Sequence, residues 1–214
     1  MHQINIPEFA LERGRKVRPE LSLNPSKTAV IAIDLQRFFI DEDQPMGNPH
    51  TKDILDNVNR INAALRQQGG LVVFTQHSFA KPGETVSETA LASAKPVPGS
   101  RSFELHPDLV VSDGDVRLVK HQSSPLHPMA FSGLGNLLRE RAIESLVVCG
   151  FASNGCCDCT ARDAAQYGYQ VVVASDATAA VTDEEHNAAL MNLAIYYASV
   201  QDTGELIQLI MGRS

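Results

Sequence analysis

Residues 145–164 read SLVVCGFASNGCCDCTARDA, and this stretch decides the fold. The apolar run Ser145–Phe151 is typical of a strand that is buried on both faces. Small and polar residues follow at once, and a helix is predicted to begin near Asn154. Cys156 would then lie in the first helical turn. A buried strand that turns directly into a helix is the repeating unit of α/β proteins.

The same unit recurs outward from this stretch in both directions. Buried strands are predicted at 28–34, 71–75, 116–120, 145–151, 169–175 and 199–201, and helices at 54–65, 134–138, 154 onward, 182–197 and 205–211. The helix at 182 has the spacing of a capping box, Thr182 to Glu185. This alternation predicts a three-layer αβα, Rossmann-like fold with a six-stranded, mostly parallel sheet.

Size and composition suit one globular domain over residues 1–214. Residues 1–26 are interpreted as an N-terminal extension and 78–113, rich in proline and serine, as a lid-like excursion. We expect a cytoplasmic protein, because the N-terminus lacks the apolar region of a secretory signal and no apolar run is long enough to span a membrane. The net charge of −7 and the absence of a basic run argue against nucleic acid, so the expected partner is a small-molecule substrate.

Four cysteines lie within eleven residues, at positions 149, 156, 157 and 159. A disulfide framework closes longer loops, so free thiols are predicted. Cys149 is expected in the core, and Cys157 and Cys159 are expected to pack near the same helix start. A thiol redox or zinc-binding module remains an alternative, although the four cysteines do not form the two Cys-x-x-Cys pairs that are usual in a zinc site.

Polar side chains close three of the predicted strands: Asp34, His77 and Lys120. The carboxyl ends of parallel strands meet at one edge of a sheet, so these residues and Cys156 are expected to share a crevice. A helix start favours a thiolate, so Cys156 is predicted to have a depressed pKa, with Asp34 as its base and Lys120 as the neighbouring cation.

Three segments resemble a known family: AVIAIDLQ around Asp34, VRLVK ending at Lys120, and VVCGFASNGCCDCTARDA around Cys156. The chain resembles the isochorismatase-like cysteine hydrolases, which include nicotinamidases, N-carbamoylsarcosine amidase, ureidoacrylate-type amidohydrolases and isochorismatases. The resemblance implies the isochorismatase fold and a dimer or larger homo-oligomer. It implies Asp34, Lys120 and Cys156 as the catalytic triad and needs no cofactor.

The resemblance also implies a cis peptide at Phe151–Ala152 and an oxyanion hole formed by the N–H groups of Ala152 and Cys156. Phe38 and His77 are candidates for the substrate pocket. Nicotinamidases carry a metal-binding Asp-x-His after the second strand, but this chain has His77 and Phe79 there, so no metal is expected.

The expected function is hydrolysis of a C–N bond in a small amide, carbamoyl or ureido compound through a thioester acyl-enzyme. Isochorismatases proper usually have glycine at the position of Cys156. The alternative reaction, isochorismatase-type hydrolysis of a vinyl ether by the aspartate, is therefore less favoured by the sequence.

Overall fold

The computed structural model describes residues 1–18 and 21–212, and its backbone follows the predicted alternation of strands and helices. The strands are β1 Thr28–Ile33, β2 Leu71–His77, β3 Val116–Lys120, β4 Ser145–Phe151, β5 Gln170–Ala179 and β6 Ser199–Gln201. The α-helices are α1 Glu8–Val17, α2 Arg37–Ile40, α3 Pro49–Asp53, α4 Leu55–Gln67, α5 Glu88–Leu91, α6 Leu134–Glu140, α7 Cys156–Gln166, α8 Asp183–Tyr196 and α9 Thr203–Ile210.

The six strands form one sheet in the order β3-β2-β1-β4-β5-β6, and every neighbouring pair is parallel. The order reverses at β1 and β4, which places a topological switch point between the two central strands. The predicted three-layer α/β fold is confirmed, and the sheet is wholly parallel over the described residues.

Two apolar layers cover the faces of this sheet. Along β1, Val30 and Ala32 face a layer that includes side chains of α4 and α9, whereas Ala29, Ile31 and Ile33 face side chains of α6, α7 and α8. Because both faces of β1 are buried, its sequence shows no polar alternation.

Several elements differ from the prediction. α7 begins at Cys156 rather than near Asn154, and β2 and β5 continue to His77 and Ala179, beyond their predicted ends at Thr75 and Ser175. The short helices α2, α3 and α5 were not predicted, and neither was α1. It packs against α8, and Gly14 allows the two backbones to approach so closely that an added Cβ would lie 2.2 Å from the carbonyl oxygen of Ala194.

The excursion at 78–113 joins β2 to β3 and contains α5 and a short 3-10 turn, Arg101–Phe103. It is tied to the start of α2 by an antiparallel bridge between Gln36 and Leu105. Its predicted role as a substrate lid stays a prediction. Among the described residues, no helix is both long and apolar enough to cross a bilayer.

Candidate active site

Asp34, Lys120 and Cys156 meet at the carboxyl edge of the sheet. Asp34 follows β1, Lys120 ends β3, and Cys156 occupies the first position of α7, directly beyond β4. His77 ends β2 and is paired in register with Lys120. The sequence therefore predicted correctly that these four residues lie together.

Asp34 is held rigidly at the end of β1. Its backbone adopts a left-handed conformation, with φ of 51°, and its N–H donates to the Thr75 carbonyl oxygen at 3.1 Å. The Thr75 hydroxyl donates to Oδ1 of Asp34 at 2.8 Å, which leaves Oδ2 to pair with Lys120. Thr75 was missed at the sequence level, although a buried polar residue in an apolar strand needs a partner and so was a usable signal.

The Lys120 ammonium is wholly buried and surrounded by acceptors. Nζ lies 2.7 Å from Oδ2 of Asp34, 3.0 Å from the Gln122 carbonyl oxygen, 3.2 Å from Nδ1 of His77 and 3.4 Å from Sγ of Cys156. Burial by itself lowers the pKa of Lys120, but the interactions with Asp34 and the Cys156 sulfur raise the pKa by more than burial lowers it, so the net shift is upward. Lys120 therefore remains a cation.

Cys156 does not have the depressed pKa that its place at a helix start predicted. Burial raises the pKa of the Cys156 thiol to about 12, and Asp34 adds to this effect. Lys120 lowers the pKa without offsetting the two larger contributions. The prediction was wrong because the effect of a helix start on the thiol is smaller than those of desolvation and a neighbouring carboxylate. The resting site thus contains a neutral thiol beside a carboxylate and an ammonium.

The other three cysteines lie in different environments. Cys149 and Cys157 are fully buried in the apolar layers on opposite faces of the sheet, and Cys159 is half-buried. None of the four forms a disulfide. The sheet separates Cys149 from Cys157, so the cluster seen in the sequence is not one thiol site in space.

The turn before Cys156 brings several backbone groups close to the thiol. The Phe151–Ala152 peptide bond is cis. The Ala152 carbonyl accepts from the N–H groups of Gly155 and Cys157, each at 3.0 Å, and the Ser153 N–H donates to the Ala179 carbonyl at 2.7 Å. Among residues 1–18 and 21–212, no hydrogen bond is donated by the N–H of Ala152 or of Cys156.

Aromatic rings pack next to His77, beside this site. Phe38 is 5% exposed, and Phe79, nearly half exposed, contacts it edge-on with ring centroids 5.6 Å apart. Phe79 also meets the ring of His77 edge-on at 5.2 Å. Phe38 and Phe39 are both buried in the same core layer, and the Phe39 ring packs against Phe151.

The residues at the position of the nicotinamidase metal site do not fit a metal. Burial and Lys120 lower the pKa of His77, so its ring is neutral, and Nδ1 accepts a hydrogen bond from the Lys120 ammonium. Phe79 offers no ligand atom. One imidazole held against a buried cation is therefore all that this position provides.

Within the described part of the chain, one group of side chains has ligand atoms close enough for a metal: His2, His50 and Asp183, within 4.8 Å of one another. The rings of His2 and His50 are stacked with centroids 4.0 Å apart, and their nitrogens consequently point along nearly parallel planes. Both nitrogens of His2 also have partners, since Nδ1 meets Asp183 and Nε2 accepts from the Ala180 N–H. This group is a hydrogen-bonded stack and not a shaped metal site.

The chain is thus an α/β protein in which Asp34, Lys120 and Cys156 lie together at the carboxyl edge of a parallel sheet. The family model described as Isochorismatase domain matches residues 28–205. An isochorismatase family protein of Bacillus subtilis (strain 168), YwoC, is 31% identical over 176 residues, which cover 79% of this chain and 87% of that protein. The chain belongs to the isochorismatase family and is a hydrolase of that family.

Two further relatives bear on chemistry and fold. The ureidoacrylate amidohydrolase RutB of Pseudomonas syringae pv. syringae is 26% identical over 227 residues, covering 94% of this chain and 91% of that enzyme. The crystal structure of a cysteine hydrolase from Pseudomonas syringae pv. phaseolicola 1448A superposes with a TM-score of 0.81 at 24% identity, over 91% of this chain and 97% of that one. The second likeness supports the fold.

Proposed function

We propose that this protein is a cysteine hydrolase that cleaves the C–N bond of a small amide, carbamoyl or ureido compound through a thioester intermediate. The observation that carries the proposal is the buried contact of Lys120 with both Asp34 and Cys156, at 2.7 and 3.4 Å. A thiol, a carboxylate and an ammonium at the end of a parallel sheet are the groups that covalent acyl transfer requires.

In the proposed first half-reaction, Asp34 takes the thiol proton as Cys156 attacks the substrate carbonyl carbon. Lys120 stabilises the developing sulfur anion. The carbonyl oxygen becomes an oxyanion, and the N–H groups of Ala152 and Cys156 are the donors that stabilise it. When the C–N bond breaks, Asp34 returns the proton to the leaving nitrogen, and ammonia or an amine departs.

The second half-reaction reverses these roles. Asp34 takes a proton from water, and the hydroxide attacks the thioester carbonyl. The C–S bond breaks, Cys156 recovers a proton from Asp34, and the acid product leaves. No metal or cofactor enters either half. The neutral ring of His77 and the aromatic rings of Phe38 and Phe79 are proposed to contact the substrate.

Two features support C–N cleavage over vinyl-ether hydrolysis. The first is the cysteine itself, positioned beside both partners, because hydrolysis of a vinyl ether by an aspartate needs no nucleophilic sulfur. The second is the relation to a ureidoacrylate amidohydrolase over nearly the whole of both chains.

The test is an ammonia-release assay over small primary amides, carbamoyl amines and ureido acids, combined with mass spectrometry of the protein during turnover. Cys156→Ala is expected to abolish release. Cys159→Ala, a half-buried cysteine of the same helix, is the matched control and is expected to retain it. An acyl adduct should map to Cys156. Undiminished release by Cys156→Ala, or turnover of a vinyl ether without any adduct, would reject the proposal.

A further inference from the structure

Residues 1–6 form an N-terminal strap that lies along α8. The side chain of Asn187, on α8, is bonded to the strap backbone twice: Oδ1 accepts from the Asn5 N–H at 2.6 Å, and Nδ2 donates to the Gln3 carbonyl at 2.8 Å. The Gln3 N–H donates to Oδ1 of Asp183 at 3.3 Å. These contacts fix the path of the strap and bring His2 to the N-terminal end of α8.

The His2 side chain is inserted between two other imidazoles. It is only 2% exposed, and its ring is stacked on His50 at 4.0 Å on one side and on His186 at 4.3 Å on the other. Nε2 accepts from the Ala180 N–H at 3.0 Å, so the ring proton is on Nδ1, which donates to Asp183 at 2.7 Å. The His2 ring is therefore held by four neighbours: His50, His186, Ala180 and Asp183.

His186 connects this stack to the turn before Cys156. Its Nε2 lies 3.1 Å from the Ser175 carbonyl oxygen, which can only accept, so Nε2 carries the proton. Nδ1 must then accept, and it lies 2.7 Å from the Ser153 hydroxyl. Ser153 directly follows Ala152, whose N–H is proposed to stabilise the oxyanion.

A second route from His2 reaches the same residue through the backbone. His2 holds the N–H of Ala180, and the Asn48 side chain holds the Ala180 carbonyl at 2.6 Å. The preceding residue, Ala179, accepts the Ser153 N–H at 2.7 Å. Ser153 is thus held at its side chain by His186 and at its backbone N–H by Ala179. His2 stacks on His186 and accepts a hydrogen bond from Ala180, the residue after Ala179.

We infer that His2 is a positioning residue for the oxyanion turn, acting through His186 and Ala180 on Ser153 and so on the Ala152 N–H. This inference rests on the proposed function, because it assigns a purpose to a strap that lies behind the site and does not face the reacting atoms. Loss of the His2 ring leaves a gap between His50 and His186 and frees the Ala180 N–H, and the turn then samples orientations that do not support the oxyanion.

The test compares His2→Ala and His2→Phe with Gln3→Ala in the full chain. Gln3→Ala is the matched control on the strap, since Gln3 bonds to Asp183 and Asn187 through its backbone alone. The His2→Phe ring keeps the stack but loses both hydrogen bonds. Amide hydrogen exchange of residues 151–157, with β1 as the internal reference, reports the order of the turn without requiring any substrate.

We expect exchange in the turn to rise at least about tenfold in His2→Ala and less in His2→Phe, with Gln3→Ala and β1 unchanged. On an amide substrate from the release assay, kcat should fall in the same order while KM changes by less than about twofold. Unchanged exchange of the turn in His2→Ala would overturn the inference, as would a loosened turn with full kcat. A merely structural role would lower Tm and leave these two quantities unaltered. If no C–N substrate is turned over by the wild type, the proposed function fails, and the exchange result still decides whether His2 orders the turn.

Discussion

Replacing Asp34 with asparagine is expected to move hydrolysis and thiol alkylation in opposite directions. The Cys156 thiol has a pKa raised from 9.0 to about 12, by burial first and then by the charge and hydrogen bond of Asp34. At pH 8 roughly one thiol in 10,000 is ionised at that pKa, against about one in ten at a pKa of 9, so iodoacetamide should modify the wild type about a thousandfold slower than a pKa of 9 would allow. In Asp34→Asn, the thiolate becomes the counterion of the buried Lys120 ammonium, and the pKa falls.

The measurement is the rate of Cys156 alkylation from pH 6 to 10, followed by mass spectrometry so that each cysteine is counted separately. In the wild type the rate should rise about tenfold per pH unit without a plateau, because the pKa lies above the range. Asp34→Asn should react faster and level off at a lower pH, while hydrolysis falls by about 10² to 10⁴ through loss of the base. The shape of the plot of alkylation rate against pH separates the effect of thiol ionisation from that of reagent access to the thiol, since restricted access lowers the rate by the same factor at every pH.

Asp158→Asn is the control. Asp158 lies in the first turn of α7, as Cys156 does, but its carboxylate pairs with Arg162 and not with the thiol. Its profile should match the wild type. A wild-type plateau below pH 9, or a profile of Asp34→Asn displaced to higher pH, would refute the reasoning and restore the depressed pKa expected from the sequence.

Two further substitutions test what holds the site together. Lys120→Met should abolish hydrolysis and lower the free energy of unfolding by about 3–5 kcal/mol, because it leaves a buried carboxylate unpaired; urea denaturation measures this beside the exposed control Lys81→Met, and equal losses would contradict it. Gly150→Ala should cost more than about 3 kcal/mol, since Gly150 has φ of 112° and its Cβ would lie 2.1 Å from the Ile33 carbonyl oxygen. The control Gly114→Ala, where a Cβ meets nothing within 4 Å, should change stability little, and similar stabilities of the two variants would count against the close approach.

The central strands of the sheet could be predicted from the sequence because both of their faces are covered. A run such as Ser145–Phe151 is buried at every position, so its apolar character is continuous and its ends are marked by the first polar residues. The same logic placed Asp34 and Lys120 at strand ends, and the parallel arrangement then brought them together.

Helix α1 could not be predicted in the same way. Within it only Ala10 and Gly14 are buried, so no apolar stripe of ordinary width marks the face that meets α8. The contact is made by close approach of two backbones at a glycine, which is visible in space and not in a hydrophobic pattern. The strap that precedes α1 was equally hard to predict, since the hydrogen-bond partners of His2 lie about 180 residues away in the chain.

The charge of Cys156 depends on tertiary structure for a different reason. The residue was placed correctly at a helix start, where the backbone N–H groups favour an anion. That effect is smaller than the cost of ionising a largely desolvated sulfur beside the carboxylate of Asp34. The motif thus predicted which thiol is the nucleophile, whereas the ionisation of that thiol depends on its burial and on Asp34, which lies more than a hundred positions away in the chain.

A high pKa for the free thiol is compatible with the proposed mechanism because of how charge is balanced in the buried site. The resting site contains one cation, Lys120, in direct contact with one anion, Asp34, and a neutral thiol that also contacts the ammonium. Release of the thiol proton to solvent would leave a net negative charge in a largely buried site, and burial opposes that step. Transfer of the same proton to Asp34 instead leaves one cation and one anion, now Lys120 and the Cys156 sulfur.

Proton transfer within the group therefore moves the negative charge without creating one, and it is needed only when a carbonyl carbon is present to be attacked. A neutral acyl group keeps this balance throughout the reaction, which is why an uncharged amide, carbamoyl or ureido carbonyl suits the site better than a carboxylate placed at the same point.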